Sequence, residues 1–203
     1  GEPDGRGRRS ASRGLRAQQR REAQQHPQLQ LTLGDAVAEQ HGTWDDLYSI
    51  SRRFRLMADL VLNHVSSQHP WFRGFLAGER RYANWFVTPG PEFDLSQVRR
   101  PRASPLLTPF ETADGREVQV WTTFGPDQID LNYREPRVLV EALRVLLAHV
   151  RRGAYLVRLD AVGFVWKESG TECIHLPGTH TIVRLMRHVL DIVAPDVRLV
   201  AET

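Results

Sequence analysis

The chain has 203 residues, of which 41% are hydrophobic and 25% are charged. This composition is typical of a folded soluble protein and excludes a wholly disordered or fibrous chain. No apolar run reaches the roughly 18 residues that a membrane-spanning helix needs, and the single cysteine agrees with a reducing compartment, so we expect a cytoplasmic protein.

The formal charge of +3 is unevenly distributed along the chain. Residues 1–25 contain seven arginines and three acidic residues, so this segment carries +4 and the remainder carries −1. Residues 1–30 also lack regular apolar spacing, which predicts a disordered basic tail. The tail has no interleaved aromatic residues for stacking on bases, so nucleic-acid binding is only an alternative interpretation. Lys167 is the only lysine among the 27 basic residues, which indicates a coding bias towards arginine.

The first elements predicted along the chain are a short helix and a buried strand. Thr43 can cap a helix, and it is followed by apolar residues at helical spacing, namely Trp44, Leu47, Ile50 and Phe54. Residues 56–61 then form an apolar run around one carboxylate, which predicts a strand that ends at the polar sequence NHVSSQHP.

The next segment, residues 66–126, contains seven prolines and no long periodic run. Two short segments, residues 110–112 and 117–120, flank the sequence ADGR, whose Asp-Gly pair is a hairpin signal. A structureless loop of this length is uncommon in a compact domain. We therefore predict a small inserted β-containing subdomain over residues 66–126.

The remaining elements alternate regularly between helix and strand. A helix is predicted from Pro136, a strand over residues 155–160 (YLVRLD), a helix over residues 181–193 and a final strand at VRLVAE. Strands that alternate with helices in this way form a parallel sheet with right-handed crossovers. Either an open doubly wound sheet or a (β/α)8 barrel fits this order.

Polar residues stand at the carboxyl end of every predicted strand. Asn63 follows the first strand, Asp160 ends the second and Glu202 ends the third. In parallel α/β folds that end carries the active site. No strand is followed by the glycine-rich turn of a nucleotide-binding fold, so we favour a partial (β/α)8 barrel of about three strands, built from residues 43–65 and 127–203.

Two carboxylates from neighbouring strands suit glycoside chemistry, in which one attacks the sugar and the other protonates the leaving oxygen. Arg158 shares a strand face with Asp160, and we expect it to keep that carboxylate ionised and oriented. An apolar setting would keep Glu202 protonated near neutral pH. A structural ion pair between Arg158 and Asp160 is the simpler alternative.

Several short motifs then identify a family. DLVLNH (residues 59–64), VRLDAV (residues 157–162) and VAET (residues 200–203) resemble, in order and spacing, the first three signature regions of the alpha-amylase family of glycoside hydrolases. WTTFGPDQIDLNY (residues 121–133) and WKESGTECIHLPGTH (residues 166–180) resemble the sucrose phosphorylase and glucosylglycerate phosphorylase branch.

The resemblance implies a role for each matching residue. Asp160 would be the nucleophile, Glu202 the general acid and base, and Arg158 the residue that positions Asp160. The substrate-binding residues would be His64, Phe124 and Gln128, and Asp59 and Asn63 would be structural. Asn63 matches a position that binds calcium in many members, although this branch generally lacks the metal, so we expect no metal and no cofactor.

The implied reaction is retaining glucosyl transfer from a glucoside such as sucrose or glucosylglycerate to phosphate as co-substrate, without nucleic-acid or membrane partners. A hydrolase or transglucosidase of the same family would use the same carboxylates and stays open. A non-catalytic piece with a nucleic-acid-binding tail is the alternative from another class. Because the sequence supplies about three of eight barrel strands, we expect the 203-residue chain alone to be inactive and poorly stable.

Overall fold

A computed structural model describes residues 43–202 of the chain. The predicted basic tail and its charge lie outside the described residues. Within them the elements, in chain order, are α1 (Trp44–Ser51), β1 (Leu56–Val61), β2 (His64–Ser66), α2 (Pro70–Leu76), β3 (Leu107–Glu111), β4 (Glu117–Trp121), β5 (Gln128–Asp130), α3 (Pro136–Arg151), β6 (Ala154–Asp160), α4 (Pro177–Val193) and β7 (Arg198–Ala201), with short 3-10 helices at Arg80–Tyr82 and Val162–Phe164.

Three of the strands form one parallel sheet in the order β1-β6-β7. The predicted parallel arrangement is therefore confirmed, and β6 is the central strand of the three. Its apolar residues Val157 and Leu159 are fully buried, as expected for a strand covered by helices. In two further two-stranded sheets β2 pairs with β5 and β3 pairs with β4, both antiparallel.

The two long helices cover the parallel sheet with one apolar stripe each. In α3 the buried residues are Val138, Ala142, Leu146 and His149, and in α4 they are Thr179, Ile182, Met186 and Leu190. This spacing of three and four residues is that of a helix with one buried face. Both helices have proline in the first turn, where the missing N–H leaves no helical bond unmade.

The turn from α3 into β6 requires a glycine. Gly153 has φ of 93°, a conformation that other residues rarely adopt. A Cβ atom at this position would also lie 2.2 Å from the Ser51 hydroxyl. The glycine thus allows the chain to reverse directly beneath α1 and enter the sheet.

The segment between β2 and β5 contains more regular structure than the sequence indicates. The predicted hairpin is present as β3 and β4, but α2 was expected to be irregular and is a helix. An aromatic cluster is centred on the fully buried Phe72, whose ring lies 5.0 Å from Phe86 and 4.8 Å from Phe110. The division of the chain into barrel and inserted subdomain remains a prediction.

None of the helices between residues 43 and 202 combines the length and apolar character required to span a lipid bilayer.

Candidate active site

The predicted acidic residues meet at the carboxyl edge of the parallel sheet. Asp59 on β1 is the register partner of Arg158 on β6, so their side chains lie side by side. Asp160 is two residues further along β6 and therefore on the same face. Glu202 follows β7, and its backbone N–H donates to the Leu159 carbonyl at 3.0 Å. The sheet thus brings one arginine and three carboxylates together at one end.

The Arg158 guanidinium contacts all three carboxylates. Its Nε and Nη2 donate to the two oxygens of Asp59 at 2.7 and 2.8 Å, which is a bidentate pair. Its Nη1 lies 2.8 Å from Glu202 Oε2, whereas its Nη2 lies 3.7 Å from Asp160 Oδ1. Arg158 is therefore bound mainly to Asp59 and Glu202, and only weakly to Asp160.

The surroundings of the two candidate catalytic carboxyls differ from those expected from the sequence. Burial, a hydrogen bond with Glu202 and the Glu202 charge raise the pKa of Asp160 from 3.8 to about 6, while Arg158 opposes the shift. Arg158 favours the ionised form of Asp160 but does not cancel the shift, because Asp59 takes the bidentate position of the guanidinium. The predicted apolar setting of Glu202 is wrong, since half of its side chain is exposed.

Asp160 and Glu202 are neighbours at this edge, since both lie beside the Arg158 guanidinium. A retaining glycosidase keeps its two carboxyls about 5 Å apart, so that a sugar carbon fits between them. Half of the Glu202 side chain is exposed, so it has room to adjust when a sugar enters.

A cavity of about 510 Å³ opens beside Asp160. Its size lies within the roughly 300–1,000 Å³ range of small-molecule sites. His64 and Gln128 line it, and Phe124 stands against His64 with ring centroids 5.5 Å apart. We call His64, Phe124 and Gln128 the pocket wall.

The pocket wall is held together by direct contacts between its members. Gln128 Nε2 lies 2.9 Å from His64 Nε2, which leaves His64 Nδ1 buried and without a partner among the described residues. Burial lowers the pKa of His64, and the Lys167 charge lowers it further, while the Asp130 charge raises it. His64 is therefore a neutral imidazole at pH 7, suited to hydrogen bonding with an uncharged hydroxyl.

Asn63 lies behind the wall and both ends of its side chain are occupied. Its Nδ2 donates to Asp130 Oδ2 at 2.9 Å, and its Oδ1 accepts from Lys167 Nζ at 2.9 Å. Across residues 43–202, no group of three or more His, Cys, Asp or Glu residues is arranged to hold a metal ion. The expectation of a metal-free site remains a prediction.

All eight residues that the sequence indicated thus lie in one region. The carboxyl edge carries Asp59, Arg158, Asp160 and Glu202, while the adjoining cavity and its support carry His64, Phe124, Gln128 and Asn63. The clamp of Asp59 on Arg158 was not predicted, because it joins residues that are 99 positions apart. The part played by Lys167 was also missed, although its status as the only lysine was a visible signal.

The chain is similar to enzymes of known class. Residues 34–203 match the profile of the alpha-amylase catalytic domain. The chain is 61% identical over 162 residues to a glucosylglycerate phosphorylase of Allomeiothermus silvanus, and 31% identical over 151 residues to a sucrose phosphorylase of Agrobacterium vitis. These alignments cover 80% and 70% of the chain but only 29% and 31% of the relatives.

A solved structure supports the same relationship. The crystal structure of sucrose 6F-phosphate phosphorylase from Thermoanaerobacter thermosaccharolyticum superposes with a TM-score of 0.73 at 29% sequence identity. The superposition covers 82% of this chain and 37% of that enzyme. The chain therefore spans about three tenths of the length of the curated relatives it matches.

Proposed function

The chain belongs to the alpha-amylase family, and from this premise we propose that it supplies the nucleophile, the acid/base residue and part of the glucose pocket of a retaining glucosyl phosphorylase. The observation that carries the proposal is the meeting of Asp160 and Glu202 at one sheet edge beside the cavity of the pocket wall. The 61% identity to a glucosylglycerate phosphorylase favours glucosylglycerate as the donor over sucrose.

The reaction would proceed in two displacements. Asp160 Oδ attacks the anomeric carbon while Glu202 gives a proton to the leaving glycosidic oxygen, so a C–O bond to the aglycone breaks and a bond to Asp160 forms. A phosphate oxygen then attacks the same carbon, its proton passes to Glu202, and Asp160 leaves. Two inversions restore the α configuration and release α-glucose 1-phosphate.

The side chains around the carboxyls suit this charge movement. With Glu202 protonated, Asp59 and Asp160 outweigh the single charge of Arg158, and this net negative charge favours the positive oxocarbenium character of the sugar in the transition state. The neutral His64 and the Gln128 amide are uncharged hydrogen-bonding groups that can bind a glucose hydroxyl. Phe124 packs against the His64 ring and so supports the wall from the side.

The test is a graft of residues 43–202 in place of the matching segment of the Allomeiothermus silvanus enzyme, called the grafted phosphorylase below. We expect it to release glucose 1-phosphate from glucosylglycerate and phosphate, and the Asp160→Asn and Glu202→Gln versions to lose this activity. A folded graft that releases only glucose, with or without phosphate, would instead support a hydrolase. A folded graft without either product would contradict the proposal.

A further inference from the structure

Lys167 is a buried cation whose three hydrogen bonds are all made. Its side chain is 5% exposed. Its Nζ lies 2.6 Å from Asp130 Oδ2 and 2.9 Å from Asn63 Oδ1, and it also donates to the Phe164 carbonyl. An ammonium group has three protons and no acceptor, so three converging oxygens satisfy it completely.

Each partner of Lys167 adjoins a residue of the pocket wall. Asn63 immediately precedes His64 in the chain. Asp130 is the register partner of His64 in the β2–β5 ladder and neighbours Ile129 and Gln128 on β5. The Phe164 ring lies 5.3 Å from the Phe124 ring.

Asp130 also binds the residue that precedes Phe124 in the chain. Its Oδ1 accepts from the backbone N–H of Thr123 at 2.9 Å, and its Oδ2 accepts from the Thr123 hydroxyl at 2.6 Å. Thr123 directly precedes Phe124. The Asp130 carboxylate is fully buried, so it depends on the Lys167 charge for compensation.

The use of lysine at this position is informative because every other basic residue of the chain is arginine. A bias towards arginine explains those residues but not the retention of lysine at 167. A guanidinium is planar and presents five donors in a fixed fork, whereas an ammonium is a compact charge with three rotatable donors. Three oxygens that converge on one point from three segments fit the ammonium.

We infer that Lys167 is a positioning residue: its ammonium fastens the end of β1, the end of β5 and the turn after Asp160, and so fixes His64 and Phe124 beside the candidate carboxylates. The structural part of this inference stands on the contacts alone. Its consequence for turnover rests on the proposed function.

The single lysine allows a direct test in the 203-residue chain. With lysine labelled at 15Nζ, the ammonium group should give one slowly exchanging NMR signal with NOE contacts to Asn63 and Phe164. Acetic anhydride should acetylate this amine at least about tenfold more slowly than free lysine, since the amine is buried and its three protons are held by protein oxygens. Acetylation at the rate of free lysine, or absence of those NOE contacts, would overturn the inference.

Substitution then tests whether the ammonium fixes the wall. We expect Lys167→Met and Lys167→Arg to shift the NMR signals of the His64 and Phe124 side chains and to lower the midpoint of thermal unfolding. Arg187→Met is the control, because Arg187 binds Asp191 and the Val197 carbonyl, away from the wall. Unchanged His64 and Phe124 signals in folded Lys167→Met would contradict the inference. If neither variant folds, the acetylation and NOE results of the native chain decide.

In the grafted phosphorylase a positioning role and a purely structural role of Lys167 predict different kinetic changes on substitution. A displaced wall should raise KM for the glucosyl donor and lower kcat/KM by roughly tenfold to a hundredfold. A purely structural role would reduce the amount of folded enzyme and so lower apparent kcat without changing KM. A graft that retains Lys167 but forms no glucose 1-phosphate would refute the proposed function and leave the NMR test of positioning unaffected.

Discussion

Asp160 is held in an environment that disfavours its own charge. Burial and the adjoining Glu202 raise its pKa to about 6, and its nearest Arg158 nitrogen is 3.7 Å away. A carboxylate that lacks a strong counter-cation keeps its electron pair available for attack on a sugar. The same arrangement destabilises the folded chain, because the free energy of the ionised group is higher in the fold than in water.

Asp160→Asn should therefore stabilise the chain at neutral pH. The carboxyl binds a proton more tightly in the fold than in the unfolded chain. The ionised carboxylate therefore lowers the free energy of unfolding by its full amount above pH 6 and has no effect below about pH 4. Asp160→Asn should raise the free energy of unfolding at pH 7 by an amount on the order of 2 kcal/mol, measured by urea unfolding. Asp191→Asn, at an exposed ion pair with Arg187, should change stability by less than about 0.5 kcal/mol.

The acidic limb of the pH–rate profile is a second prediction at the residue scale. A nucleophilic Asp160 must be deprotonated, so kcat/KM of the grafted phosphorylase should fall as the pH decreases through about 6. Steady-state rates from pH 4.5 to 8 would measure this. An acidic limb near the ordinary pKa of 3.8 would show that the Asp160 environment differs from the one described.

Asp59→Asn should move that limb to lower pH. The Asp59 charge contributes to the raised pKa of Asp160 and also holds the Arg158 fork. Without it the guanidinium is free to approach Asp160 and stabilise its ionised form. We also expect a loss of roughly 2 kcal/mol of stability, since a charged bidentate hydrogen bond is removed. If neither the acidic limb of the pH–rate profile nor the free energy of unfolding changed, the role of Asp59 in holding Arg158 would be contradicted.

At the scale of elements, local patterns predicted most of the secondary structure. The strands β1, β6 and β7 and the helices α1, α3 and α4 follow from apolar spacing, proline positions and a capping threonine. The helix α2 could not be predicted in this way, because it is seven residues long and contains Gly74. A Cβ atom at Gly74 would lie 2.5 Å from the Tyr82 ring, so a tertiary contact explains this glycine.

The candidate site shows the same division between local and distant information. The ends of the strands indicated where Asp160 and Glu202 would meet, since parallel strands share one carboxyl edge. The choice of partner for Arg158 depended on the register between β1 and β6, which neither strand encodes alone. The burial of Lys167 likewise depends on Asn63 and Asp130, which lie on segments distant from it in sequence.

The helix α3 contains a group that should make the fold acid-sensitive. His149 is buried against the sheet, its Nε2 has no partner among the described residues, and burial together with the Arg152 charge lowers its pKa from 6.5 to about 4. The imidazole is neutral in the fold but gains a proton on unfolding below pH 6.5. Stability should therefore fall between pH 6.5 and 4 by about 3 kcal/mol from this residue.

His149→Phe should remove that part of the pH dependence. The comparison is urea unfolding of both chains at pH 7 and pH 5. The exposed His180, replaced by Gln, serves as a control for the loss of a histidine without the loss of a buried one. An equal loss of stability at pH 5 in the His149→Phe and unsubstituted chains would refute the assignment.

At the scale of the whole molecule, the described sheet has two unpaired edges and an exposed apolar face. Among residues 43–202, β1 and β7 each pair only with β6. Met57 is 59% exposed and Val200 is 44% exposed on the face that also carries Arg158 and Asp160. Unpaired edges beside an apolar face promote association with further strands.

We expect the purified 203-residue chain to self-associate through this sheet and to release no glucose 1-phosphate by itself. Sedimentation velocity should show a mass that rises above 23.2 kDa as the protein concentration increases. Met57→Lys combined with Val200→Lys should restore the monomer, because two like charges on the face oppose its burial against another sheet. Val140→Lys, at an apolar residue of α3 that is equally exposed, should leave the association unchanged. A chain that stays monomeric at all concentrations and converts glucosylglycerate would show that these edges are already covered.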